Sequence, residues 1–144
     1  MRVKKIALMC ALATVALSVA AVQAHVQKYE PMEKPRPEPP WKSGETTVTL
    51  KNGTLRVSGN GAMADYDSLD QPWNGKITRL VIENGVTHIG NRAFAFAYEV
   101  TSVTIPNSVT SIGRGAFEYC DNLTSVTIPN SVTSIGGGAF AGCR

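Results

Sequence analysis

The sequence predicts a right-handed, β-rich solenoid of three coils, preceded by a β-hairpin that caps it. Three observations predict this: an ungapped 23-residue period over the C-terminal half, aliphatic side chains two apart among Thr, Ser and Val in each unit, and an Asn-Gly pair between alternating segments upstream.

Residues 77–99, 100–122 and 123–144 align without gaps, the last unit lacking only its final residue. Each column is aliphatic: Ile77, Val100 and Leu123; Leu80, Val103 and Val126; Ile82, Ile105 and Ile128; Val86, Val109 and Val132; Ile89, Ile112 and Ile135. An unvarying glycine follows at 90, 113 and 136, then Ala-Phe at 93–94, 116–117 and 139–140. One unit cannot bury these positions alone. Coils about 4.8 Å apart, the spacing of paired strands, place like over like in continuous columns.

Residues 77–82 and their copies have the period and composition of a half-buried strand. Pro106 and Pro129 end it by removing a ladder donor, and Val-Thr-x-Ile gives a second short extended piece. The glycine suits a tight reversal, and the segment after it has room for one helical or 3₁₀ turn that drops Phe94, Phe117 or Phe140 into the interior.

Upstream, Thr46 to Ser58 alternates about Asn52-Gly53, whose positive φ angles suit a type I′ turn and set Val48, Leu50, Leu55 and Val57 on one face. With the loop that follows, residues 46–76 read as the cap of the first coil. Residues 25–45 read as a disordered, proline-rich stalk, with five prolines between Lys28 and Trp41. Residues 1–24 read as a cleaved secretory signal: Arg2, Lys4 and Lys5, an apolar run to Val22, and Ala24 at the processing position. Its removal takes three of the 14 basic residues and none of the 11 acidic ones, leaving equal numbers. A neutral chain with scattered cations lacks the footprint of a nucleic-acid binder.

The segment Leu-Thr-Ser-Val-Thr-Ile-Pro-Asn-Ser-Val-Thr-Ser-Ile-Gly-Gly-Gly-Ala-Phe at 123–140 resembles the BspA-like, or Treponema-type, leucine-rich-repeat proteins of bacterial surfaces. The hairpin with Gly61-Ala62-Met63 and Pro72-Trp73 is similar to the lead-in often found there. The resemblance implies a curved leucine-rich-repeat solenoid with a surface role in adhesion or recognition of proteins or glycans, and it supplies no catalytic residue. It departs from the family in stopping inside a third unit with no polar cap.

Asp65, Asp67 and Asp70 suggest a calcium loop, but Asp70 stands where an EF-hand needs glycine and Lys76 where it needs glutamate, so the reading is a solvated loop without metal. His88 shares a column with Ser111 and Ser134 and is expected to point outward, and no nucleophile elbow or recurring carboxylate pair is present. The expectation is a protein without catalytic residues or cofactor. Cys120 and Cys143 are one period apart, which brings them within disulfide range; the other reading makes them small buried residues in the position that Ala97 fills in the first unit.

The expected binding face is the row of outward threonines, Thr78, Thr101, Thr104, Thr124 and Thr127, with Tyr98 and Tyr119. The expected function is a secreted or cell-surface (or periplasmic) binding module for a protein or glycan, touching membrane only through export or an unidentified anchor. The alternative is a structural piece that self-associates end to end, or a fragment of a longer repeat protein, since the last coil exposes Val126, Ile128, Ile135 and Phe140 beside an unpaired strand edge.

Overall fold

The structure, a computed structural model, describes residues 37–67, 70–73 and 76–144. The expected signal, 1–24, and residues 25–36 of the expected stalk lie outside the described residues. Among the described residues there is no helix, and none long and apolar enough to cross a membrane.

The hairpin forms as expected. Strands β2 (Thr46–Lys51) and β3 (Thr54–Gly59) pair antiparallel, Leu50 opposite Leu55. Asn52 and Gly53 between them have φ of 50° and 77°. Both angles lie in the left-handed region that a two-residue type I′ turn requires. Val48, Leu55 and Val57 are fully buried.

The expected stalk gives way to structure earlier than residue 45. Trp41–Ser43 is a strand, β1, antiparallel to β2. Its cause is apolar: Trp41 buries its ring 6.1 Å from that of Trp73. The Ser43 hydroxyl then accepts from the Tyr66 phenol at 2.8 Å and the Ala64 amide at 3.1 Å.

Three coils follow, each with two short strands. Coil 1 carries β5 (Arg79–Ile82) and β6 (Val86–Ile89), coil 2 carries β7 (Ser102–Thr104) and β8 (Ser111–Ile112), and coil 3 carries β9 (Ser125–Thr127) and β10 (Ser134–Ile135). Counting β4 (Gly61–Ala62) of the cap, one wall is the parallel sheet β4-β6-β8-β10. The other wall has two pieces, β1-β2-β3-β5 and β7-β9. Strand β3 is parallel to β5, with Leu55 against Leu80 and Val57 against Ile82. The cap is therefore a partial coil on which the first full one is laid, and its hydrogen bonds leave no apolar N-terminal edge exposed at Leu80 or Ile82.

Between the walls lies the shared core. Leu80, Val103, Ile82, Ile105, Val86, Val109, Ile89 and Ile112 are buried. Phe94 and Phe117 stack at 5.4 Å between ring centroids, and Phe117 and Phe140 at 5.3 Å with parallel rings.

The third side of each coil differs from the helical or 3₁₀ turn expected. Its amides alternate between two kinds of partner. Ala93, Ala95 and Ala97 donate to carbonyls three residues back, whereas Arg92, Phe94 and Phe96 donate to Arg114, Ala116 and Glu118 of the next coil, the last two at 2.8 Å. Gly115, Phe117 and Tyr119 repeat this toward coil 3. A helix would have spent these amides within the coil; left-handed φ at Arg92 and Phe96, and at Gly115 and Tyr119, turns them outward instead.

The invariant glycines also serve a purpose other than the reversal expected. Gly90, Gly113 and Gly136 do not have positive φ; they sit where adjacent coils come closest. A Cβ at Gly113 would lie 2.5 Å from the Asn91 amide nitrogen and 2.8 Å from the Gly90 carbonyl carbon. Gly113→Ala therefore forces backbone to move and should cost about 1–3 kcal/mol, the usual range for overpacking. Gly137→Ala, where a Cβ meets nothing within 4 Å, should change stability by less than about 0.5 kcal/mol. Urea unfolding followed by circular dichroism compares the two, and equal effects would contradict close coil approach at that column.

Candidate binding surface

All five threonines of the expected face are exposed, but they do not form one uniform row. Thr124 sits on Thr101, its amide and hydroxyl both donating to the Thr101 carbonyl at 3.0 and 3.3 Å, and Thr104 pairs with Thr127 in the β7–β9 register. Thr78 bonds in the same way to Gly53 of the hairpin turn, at 2.8 and 3.3 Å. No such bond joins Thr101 back to Thr78. The hydroxyls of Thr78 and Thr124 are thus occupied in holding coils together, and Thr101, Thr104 and Thr127 retain theirs for solvent or a ligand.

Tyr98 and Tyr119 are 49% and 46% exposed. They are brought together by a residue not singled out in the sequence, Phe96, which stacks on Tyr119 at 5.1 Å and meets Tyr98 edge-on at 5.8 Å. Phe96 and Tyr119 are one period apart, so the repeat alignment contained the signal. The third member of that column is Gly142, and a Cβ there would lie 2.5 Å from the Tyr119 ring. The Tyr98 carbonyl is held by the Asn122 side-chain amide at 2.7 Å. Charged neighbours flank the cluster: Glu99 pairs with Lys76 at 3.6 Å and Glu118 with Arg92 at 3.3 Å. The result is an anchored aromatic corner with polar rims, a composition suited to binding.

His88 is half-buried, with Nδ1 2.7 Å from Ser111 Oγ and Nε2 3.6 Å from Asp65 Oδ1. This line of three residue types invites comparison with a catalytic relay, which needs the carboxylate hydrogen-bonded to one ring nitrogen while the other accepts the serine proton. Here 3.6 Å is too long for a hydrogen bond, and the same oxygen of Asp65 accepts the Asn91 amide at 2.8 Å. Asn91 Oδ1 in turn accepts the Arg114 amide at 2.7 Å. Asp65 and Asn91 act as successive caps on the turn of the next coil, which is a structural duty. Among the described residues no group of three His, Cys, Asp or Glu side chains could hold a metal ion.

The pattern described as "BspA type Leucine rich repeat region (6 copies)" matches residues 73–144, half of the chain. The chain belongs to the BspA-type leucine-rich repeat family. It is similar to a leucine-rich repeat protein from Eubacterium ventriosum, at 36% identity and a TM-score of 0.65, over 71% of this chain and 28% of that one. It also matches a leucine-rich repeat protein from Bacteroides ovatus at 32% identity and a TM-score of 0.46, over 47% of this chain and 18% of that one. The chain thus spans less than a third of the length of either. No curated protein matches it.

Within the leucine-rich repeats, Cys120 and Cys143 are free thiols. Each Sγ donates at 3.2 Å to a carbonyl in the preceding coil, Cys120 to Phe94 and Cys143 to Phe117. Burial pushes the Cys120 thiol up to about 12 from an ordinary 9.0, with Cys143 and Asp121 adding to the rise. The folded state therefore prefers the protonated thiol. Its contribution to stability is complete below pH 9 and declines as pH rises toward 12, because the unfolded chain ionises first. Stability of the natural chain should fall more steeply over that window than stability of Cys120→Ala, measured by urea unfolding at successive pH values. A thiol reagent at pH 8 should leave Cys120 unmodified until the chain unfolds; rapid native labelling would contradict its burial.

Proposed function

We propose that this protein is an exported or cell-surface binding module whose repeat surface contacts a protein or glycan. The observation that carries the reading is the corner of Phe96, Tyr98 and Tyr119, where two tyrosines stay about half exposed although a third aromatic ring fixes them in place. Aromatic side chains anchored in this way contribute large contact area at little entropic cost. The free hydroxyls of Thr101, Thr104 and Thr127 supply hydrogen bonds on the adjoining strand wall. Support for an extracellular setting comes from the family resemblance and from the signal pattern in residues 1–24.

A second reading, self-association, draws on coil 3. Ile128 and Ile135 are 40% and 49% exposed there, and a groove of about 210 Å³ runs between Leu123, Val126, Ile128, Phe140 and Cys143. The amides of Gly138, Phe140 and Gly142 occupy positions that in coils 1 and 2 donate to the following coil. Light scattering on the chain lacking residues 1–24 tests this reading, since a monodisperse monomer at high concentration would remove it.

For the leading reading, immobilised chain should capture a ligand from a panel of purified surface proteins or a glycan array. Tyr98→Ala with Tyr119→Ala should weaken capture at least about tenfold, or roughly 1.4 kcal/mol, with the melting curve little changed. Capture indifferent to both tyrosines, or no capture from either panel, would count against the proposal.

A further inference from the structure

The strand wall of this solenoid is missing one step. From cap to coil 1 it is joined at Thr78 by its amide and hydroxyl to Gly53, through the register of β3 with β5, and at Glu83, whose amide donates to Val57 at 2.9 Å. From coil 2 to coil 3 the wall is joined again, by Thr124 to Thr101, by β7 with β9, and by the Ile105 amide, which donates forward to Thr127 at 3.1 Å. From coil 1 to coil 2 none of them is made, and β5 and β7 belong to separate sheets. The opposite wall is intact at this same step. Thr110 donates to Thr87 and Gly113 to Ile89, both at 2.8 Å, and β6 pairs with β8.

The coils are therefore wedged apart on one side only. The wedge holds a cavity of about 310 Å³ between Arg79–Ile82 of coil 1 and Ser102, Thr104 and Pro106 of coil 2. Strand alternation determines what faces it. The backbone of Arg79, Val81 and Glu83 is turned to the cap, so that of Leu80 and Ile82 points into the cavity; the backbone of Val103 and Ile105 is turned to β9, so that of Ser102 and Thr104 points in from the other side. Part of the cause is the Arg56–Glu83 ion pair at 2.5 Å, which draws the end of β5 toward the cap.

Backbone donors and acceptors repeating every second residue, about 6.6–6.8 Å apart, are matched by another extended polypeptide. Arg79 stands exposed at the N-terminal end of β5 and has no ion-pair partner among the described residues, so it favours a carboxylate at the corresponding end of a parallel peptide. We propose that the cleft between β5 and β7 is a peptide-binding site, which takes an extended segment of a partner protein with an acidic residue beside Arg79. A strand flanked on both edges needs about 9.6 Å between its neighbours, twice the strand spacing. Some Cα atoms of β5 and β7 lie within 8 Å of each other, so the peptide enters as this step opens further about the intact wall. That opening breaks no backbone hydrogen bond on the strand wall, because none is there. The proposal rests on the reading of the repeat surface as a binding surface and narrows its ligand to polypeptide.

The test is fluorescence anisotropy of a labelled Glu-Thr-Val-Thr-Val peptide with the full chain and with Val81→Cys/Thr104→Cys, which places outward cysteines one period apart across the cleft. The natural chain should bind, and the oxidised variant should bind at least tenfold more weakly than the same variant after reduction. Arg79→Ala should weaken binding of this peptide several-fold while leaving the Gln-Thr-Val-Thr-Val version unchanged. Ser102→Pro removes a donor that no native group uses, so it should fold normally and bind the peptide weakly. Equal binding by the oxidised and reduced variants, or by Ser102→Pro and the natural chain, would overturn the site, as would failure of the natural chain to bind. Capture of a surface ligand that depends on Tyr98 and Tyr119 but ignores the disulfide would sink the cleft alone and leave the broader reading standing.

Discussion

The structure depends on one division of labour in the backbone. Along the turn side of each coil, successive amides alternate between closing the local turn and reaching the next coil, so each unit is shaped and joined by the same few residues. A helix would satisfy the same donors internally and leave neighbouring coils joined on this side by side chains alone, with backbone bonds only along the strand walls. Left-handed φ at two positions per coil enforces the alternation, at Arg92 and Phe96 in coil 1 against the ordinary preference of those residues. Such conformations persist where surrounding contacts over-determine them. The bonds to Arg114, Ala116 and Glu118, with the Phe94–Phe117 stack beneath, provide those contacts.

Once the turns are joined in this way, the rest of the molecule follows from how closely the coils approach. Glycine at 90, 113 and 136 permits that approach, and the phenylalanine column fills the space behind it. The strand wall is less constrained. It is joined at two steps and open at one, which leaves the hydroxyl of Thr101 free and creates the cleft beside Arg79. Surface features that suit binding therefore gather on the side of the solenoid where the ladder is least complete, and at the aromatic corner next to it.

Much of this was legible in the residues. The period gave the coils and their columns, Asn52-Gly53 gave the hairpin turn, and the threonines and tyrosines were correctly expected to be exposed. Other features were hidden for physical reasons. Glycine marks either positive φ or close approach, and residue type does not separate them: Gly113 needs the space, whereas Gly115 has φ of 60°. Bonds three residues apart occur in a 3₁₀ turn and in the alternating turn alike, so Ala-Phe spacing did not distinguish the two. Trp41 follows a proline-rich stretch and so reads as part of a stalk, although its indole has a partner in Trp73. A period places strands in line without saying whether their edges bond, and the gap between β5 and β7 could not be read from it.

Amide hydrogen exchange on the folded chain tests the central claim most directly. The amides of Phe94 and Phe117 each donate to the next coil, at 2.8 Å, and the matching amide of Phe140 has no backbone acceptor among the described residues. Slow exchange at Phe94 and Phe117 with fast exchange at Phe140 is the predicted result. Three equal rates would mean that these amides are satisfied within their own turns, and that the strand walls, not the turn side, join the coils.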